Sequence, residues 1–472
     1  MGVGVRTARR AAPITVLTLV SLCVIAIVGL NTFRQFRGGY DLTIFSQAIH
    51  NYSEFKAPIV AVKGPHFNIL GDHFHPILVV LAPLYWIWDD PRVLLIAQAV
   101  LLAASVPIVY RFAARYLSPR LALLISAGYA LGWPLQASAA SDFYEIAFGV
   151  PLLAWAIDSL DRRDDRGLLI AGGLLLLVRE DMGTVVALLG LLRLTRAPRR
   201  TGLALLVSGI GVYFLATQVV LPHFSSTGRF GYWSYDALGA TPGSALRSII
   251  VHPWHAVRLF FTPVAKSHTL LFLFAPLAFV SLRSRYSLLL LPLLAERFFS
   301  SREALWTTQY HYSAIAWPVL FLAGVDGLNR LKVHRIPRRL WCSLPLAFAL
   351  VGTALSPGVF PYRHLIDGQL FATSAHLRAQ EAAVALVPKD SCVVTDDDMV
   401  AHFTAKDLVS LPGRLGRVPD YTVLDLSRTV TGSDTPSPQQ ALATALARGD
   451  VTVFSRDQIV VLRSAQNATC HP

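Results

Sequence analysis

Long apolar runs, several of them shorter than a straight membrane span needs, recur through the first 356 residues of this chain, and every second gap between them is short and crowded with arginine. A helix rising 1.5 Å per residue needs about 20 apolar residues to cross roughly 30 Å of hydrocarbon. Pro13–Leu30 is the first such run. Others follow at about 92–113, 120–140, 143–158, 167–178, 182–195, 201–221, 268–282, 286–299, 311–328 and 340–356. Together they predict about eleven transmembrane helices, the shorter ones meeting at Arg179-Glu180-Asp181 and Arg283-Ser284-Arg285. Arg6, Arg9 and Arg10 ahead of the first run give the outline of a signal peptide. The run is long, however, and Asn31-Thr32-Phe33-Arg34 offers no small-residue cleavage site, so it reads as a retained span.

Composition agrees with that solvent. Hydrophobic residues make up 54% of the 472 and charged residues 15%, against about 25% charged in a soluble domain. The formal charge of +13 does not point to nucleic acid, because the basic residues sit in short loops between apolar runs. Arg111/Arg115/Arg120, Arg162/Arg163/Arg166, Arg193/Arg196/Arg199/Arg200, Arg283/Arg285 and Arg330/Lys332/Arg335/Arg338/Arg339 all fall on the side of the N-terminus. The opposite loops are longer and sparser; Phe224–Val264 carries only Arg229, Arg247 and Arg258. Positive-inside logic then predicts an N-terminus in the cytoplasm and a C-terminus outside, and the heavy excess of Arg over Lys looks like a high-GC bacterial genome, which makes the expected location a bacterial cytoplasmic membrane.

Two regions break the helical pattern. The loop 31–91 ends in a run, Ile77–Trp88, too short to span; with Trp86 and Trp88 it reads as a helix lying at the membrane surface. From about Ser356 the pattern changes. β-like runs at Cys392–Thr395, Tyr421–Leu426, Val451–Phe454 and Ile459–Leu462 alternate with helical stretches at Ser374–Val387 and Gln439–Arg448, predicting a small α/β domain. The chain thus divides into a transmembrane domain, 1–356, and an extracytoplasmic domain, 357–472. Cys392 and Cys470 both lie in the latter, bridged or free, and Asn467-Ala468-Thr469 matches a glycosylation sequon.

Chemistry is expected where ionisable residues crowd the outer face. Asp41, after Gly38-Gly39-Tyr40, is either a general base or a helix cap for Leu42–Asn51. Asp72, His73 and His75 suit a phosphate-bearing ligand or a divalent metal, but form too small a set for a closed metal site. Arg179, Glu180 and Asp181 interrupt apolar sequence, where charge is costly unless it faces a cavity or interface. Asp142 and Glu145 face the same side, as do Glu296, Arg297 and His311. No Walker A, HExxH, GxSxG or paired CxxC motif occurs.

The segments "YDLTIFSQAIHN", "GDHFHPILVVLAPLY", "VREDMG" and "YHYSAIAWPVLFLAGVDGL" resemble a bacterial family of predicted membrane proteins of unknown function. The order of first span, outer loop with an early acidic residue, and "HPILVVLAPLYWIWDDPRVLLIAQAVLLAASVPIVYRFAARYL" resembles the GT-C superfamily of membrane glycosyltransferases. That resemblance implies sugar transfer from a polyprenyl-phosphate donor to an envelope acceptor on the outer face, with Asp41 where such enzymes carry a first-loop catalytic carboxylate. Asp72, His73, His75, Arg179, Glu180, Asp181, Arg297 and His311 are the expected substrate-binding set. The first loop has no compact Asp-x-Asp, so no cofactor is implied with certainty and a divalent metal stays open. A transporter or flippase of a lipid-linked or anionic substrate, or a non-catalytic scaffold, would place charges similarly.

Overall fold

The computed structural model describes residues 2–229, 231, 233–331, 337–405, 408–428 and 435–466, with side chains from Ala12 onward. Asn467, Thr469 and Cys470 lie outside the described residues. Cys392 is disulfide-bonded, and Cys23 and Cys342 are free.

Helices dominate. α1 (Gly2–Arg34) packs along α4 (Arg92–Ala113), and between them the chain makes α2 (Tyr40–Ser53) and the short α3 (Ala82–Ile87). α4 starts where Asp90 accepts the Arg92 N–H at 2.9 Å and clamps its guanidinium at 2.7 and 2.6 Å. At its far end Arg111 and Arg115, with Arg162, converge on the fully buried Asp158. Cations bunched around one buried carboxylate offset its desolvation cost and tie two helix ends together.

Among the described residues, three helices are long and apolar enough to cross a membrane: Ala12–Arg34, Arg92–Ala113 and Arg200–Phe224. Pro253–Phe261 and Val264–Leu277 form one bent apolar pair, at 75°, that makes a fourth span if the two are counted together. Of the other expected runs, Ile146–Arg162, Ala316–Arg330 and Arg338–Leu355 form single helices, while others fold into shorter pieces. The run 120–140 breaks into Pro119–Ala130 and Trp133–Ala139 at Gly132-Trp133-Pro134, and 268–299 is interrupted by 3-10 turns. Proline removes a backbone donor locally, and close packing adds a tertiary cause, since a Cβ at Gly132 would collide with Trp317 at 2.3 Å. By contrast Met182–Leu194 and Arg200–Leu215 pack backbone to backbone. A Cβ on Gly183 would lie 2.6 Å from the Gly209 carbonyl, so glycine permits the approach. This hairpin fixes the Arg179–Asp181 turn at its open end.

Pro76–Leu81 and α3 form the short helix expected before Trp88, and Val79, Val80, Trp86 and Ile87 stand exposed on it. The C-terminal runs also form as expected. β1 (Cys392–Thr395), β2 (Leu408–Ser410), β3 (Tyr421–Asp425), β4 (Val451–Arg456) and β5 (Ile459–Arg463) make one sheet in the order β2-β1-β3-β5-β4. β1 pairs parallel with β2 and β3, and β5 antiparallel with β3 and β4. β2, only three residues long, carries too little pattern to be read from sequence. The β4–β5 turn, Asp457-Gln458, has both φ values positive, the twist a two-residue hairpin needs.

The C-terminal region, strand β2 included, grips the segment 33–63. Gln35 donates to the Gln369 and Leu370 carbonyls, Gln47 to Val409, Ser410 to Ala61, and Arg414 to Lys63. His402 meets the Phe33 carbonyl at 3.0 Å.

Candidate functional site

The site begins at a turn that only glycine accommodates comfortably. Gly38 (φ 84°) and Gly39 (φ 145°) reverse the chain between α1 and α2. A Cβ there would also press on Asp142 Oδ1 at 3.0 Å and on the Asp397 carbonyl at 3.1 Å. The first N–H groups of α2 lack intrahelical partners. Asp142, a hundred residues away in sequence, supplies one: its Oδ2 accepts from Gly39 N at 3.1 Å and Leu42 N at 3.2 Å.

The cap expected of Asp41 is therefore made by another carboxylate. Asp41 instead turns into a cavity, where its Oδ2 accepts the Tyr144 hydroxyl at 2.6 Å. Tyr144 in turn stacks on His311, ring centroids 3.3 Å apart. Burial raises the Asp41 pKa against the pull of the Tyr144 hydroxyl, Lys63 and Arg302. Burial and the Asp41 charge push Asp142 up to about 7.

The facing wall is a set of ion pairs. Glu180, nearly fully buried, accepts from His73 Nδ1 at 2.8 Å and from the Phe74 N–H at 2.9 Å. Burial opposes the charge on His73, yet Glu180 outweighs it and lifts the imidazole to about 9. His75, two residues on, is buried with Nδ1 unpaired among the described residues; burial and the His73 charge hold it down at about 4, neutral. Lys63 reaches Asp72 at 2.5 Å. Arg179 forks onto Asp181 at 2.7 and 2.8 Å, with Glu296 at 3.4 Å and Glu145 at 3.6 Å.

These groups line one cavity of about 320 Å³. It brings together Asp41, Asp72, His73, His75, Arg179, Glu180, Asp181 and His311, eight of the nine residues expected from sequence. Arg297 is the exception. It is buried off the cavity, donating to the Leu305 carbonyl at 2.7 Å and Ser313 Oγ at 3.0 Å, so it braces the loop that carries His311. Arg179 does line the cavity, but three carboxylates already answer its charge.

Two cations that sequence reasoning passed over also line the cavity. Lys63, paired with Asp72, and Arg302 both act electrostatically on Asp41. Lys63 lay within the loop already singled out; Arg302, in Ser300-Ser301-Arg302-Glu303, carries no distinguishing local signal. Tyr40, Tyr213, Trp233, Tyr235 and Tyr312 complete an aromatic lining suited to a sugar-sized ligand. Among the described residues no three His, Cys, Asp or Glu side chains converge to hold a metal ion.

Comparison with known proteins places the chain. The profile of a family described as "Predicted membrane protein (DUF2079)" matches residues 33–453. No curated protein matches the sequence significantly. Among solved structures, the chain is similar to ArnT from Cupriavidus metallidurans bound to undecaprenyl phosphate, with 12% identity, TM-score 0.55, and 97% of this chain and 99% of that chain covered. The apo form of the same protein gives 14% identity, TM-score 0.51, and 95% and 97% coverage. The likeness runs the length of both chains and is one of fold: a GT-C-like helical membrane fold with a small C-terminal sheet.

Proposed function

This chain belongs to the DUF2079 family of predicted membrane proteins, and from that premise we propose that it transfers a sugar from a polyprenyl-phosphate donor to an envelope acceptor on the outer face of the bacterial cytoplasmic membrane. The single observation that carries the reading is Asp41. Capped away by Asp142, it presents a buried carboxylate to a cavity that also holds Lys63 and Arg302. A solved structure of the same fold has undecaprenyl phosphate bound, which supports a lipid-phosphate donor here.

The chemistry follows from those groups. Tyr144 occupies Asp41 Oδ2 and leaves Oδ1 to take the proton of the acceptor hydroxyl. The acceptor oxygen bonds to the anomeric carbon as the bond from that carbon to the phosphate oxygen breaks, and the electron pair leaves with the phosphate. Lys63 and Arg302 stabilise the charge that develops there. A base pKa raised by burial lies closer to operating pH than a free carboxylate's, which suits general-base work. His73–Glu180 and Arg179–Asp181 hold the opposite wall in place.

The same reading assigns about eleven spans, the N-terminus to the cytoplasm, residues 1–356 to the membrane and 357–472 to the outer face. The arginine cluster around Asp158, at the end of α4 away from the cavity, supports that orientation. The test is the lipid-linked glycan profile of a deletion strain complemented with wild type or Asp41→Asn. A donor lipid that accumulates in the deletion strain and with Asp41→Asn, and clears with wild type, is the expected result. Unchanged glycans in all strains, or altered flux of a solute with no sugar–acceptor product, would overturn it.

A further inference from the structure

A second crevice, of about 490 Å³, lies where the ends of α1 and α4 meet the helix Ala375–Leu386. It shares no lining residue with the Asp41 cavity. Leu30 and Arg34 of α1 and Arg92 of α4 form one side; Val384 and Ala385 roof it, and His402 closes it.

Two exposed apolar stripes run into this crevice. On α1, Val16, Val20, Cys23 and Ile27 stand exposed at the three- and four-residue spacing of one helix face, which continues to Leu30 and Arg34. On α4, Ile96 and Val100 continue the face of Arg92. Both helices are of membrane-spanning length, so the stripes are surfaces for hydrocarbon chains and the crevice sits at their headgroup end. One cation is placed for a headgroup. Arg34 is half exposed, with Glu381 only at 3.9 Å; Arg92, its guanidinium held by Asp90, lies over the ring of Trp88 at 5.0 Å, a residue type that favours the membrane interface.

The geometry points to a resident anionic phospholipid of the surrounding leaflet, one acyl chain in the crevice and its phosphate at Arg34. The donor lipid of the proposed reaction is not the occupant, because its phosphate must reach Asp41 and the two cavities have no wall in common. The bound lipid cements Ala375–Leu386, and with it the sheet domain, to the membrane helices. This inference stands whether or not the chain transfers sugar.

The full chain, reconstituted in phosphatidylcholine vesicles containing a photoactivatable phosphatidylglycerol, provides the test. Label should map to peptides holding Leu30–Arg34 or Glu381–Ala385. Val384→Trp, which fills the crevice, and Arg34→Gln, which removes a charged phosphate contact, should each lower that labelling on the order of tenfold. Labelling along the exposed Leu203/Val207 face should stay unchanged, which separates loss of the site from loss of the fold. Labelling at the crevice that survives both substitutions overturns the proposal. So does equal labelling by a phosphatidylcholine probe, or preferential labelling by a polyprenyl-phosphate probe.

Discussion

Replacing the two aspartates at the start of α2 separates capping from chemistry. Asp142→Ala removes the acceptor of the Gly39 and Leu42 N–H groups. Losing a cap costs about 0.5–2 kcal/mol, and losing a negative charge at a helix N-terminus about 0.3–1 more. The sum, roughly 1–3 kcal/mol, should appear as a lowered unfolding temperature in detergent. Transfer should fall as well, because a displacement of about 1 Å in a reacting group costs on the order of 100-fold. Asp41→Asn should behave oppositely. The amide carbonyl still accepts from Tyr144, and a buried charge is removed, so stability should move by no more than about 1 kcal/mol. The base is gone, so turnover should drop by about 10²–10⁴. Unfolding curves paired with a transfer assay on a polyprenyl-phosphate sugar decide the matter. If Asp41→Asn unfolds as readily as Asp142→Ala, or turns over like wild type, Asp41 is structural and the reasoning fails.

Three further outcomes are expected. His73 titrates near 9 in the folded chain against 6.5 unfolded, so its pairing with Glu180 stabilises fully below pH 6.5 and is lost as pH rises through about 9; unfolding temperature should decline across that window, and Glu180→Gln should flatten the decline. Lys63→Met and Arg302→Met should weaken donor-lipid binding, Lys63→Met also lowering stability because Asp72 loses its partner, whereas Arg297→Met, which frees the Leu305 carbonyl and Ser313, should destabilise by roughly 1–3 kcal/mol and leave donor binding unchanged; donor binding and unfolding measured on the same preparations distinguish the two classes. A reporter active only outside the cytoplasm, fused after Leu462, should give signal, and activity of a cytoplasmic reporter at that point would reverse the orientation.

What the sequence determined by itself is what short-range physics governs. The span Arg92–Ala113, the short helix before Trp88 and four of five strands were legible because apolar length and alternation act within one element. The crowding of charge at Asp41, Asp72–His75 and Arg179–Asp181 was legible for a related reason: ionisable groups in apolar sequence must face something polar. Which group answers which was decided only by tertiary structure. Asp142 caps α2 from 100 residues away, so of the two roles open to Asp41 in the sequence, cap or base, the cap goes to a longer-range partner. Arg179 is neutralised by Asp181, Glu145 and Glu296, drawn from three segments, and Arg297 turns from the cavity toward Leu305 and Ser313. Lys63 and Arg302, far apart in sequence, come to line the Asp41 cavity only in the folded chain. The short, broken helices after residue 264 belong to the same class, since proline and close packing, rather than apolar length, set where each ends. Burial makes every charge demand a partner, but the choice of partner is a property of distance in space, which the order of residues does not contain.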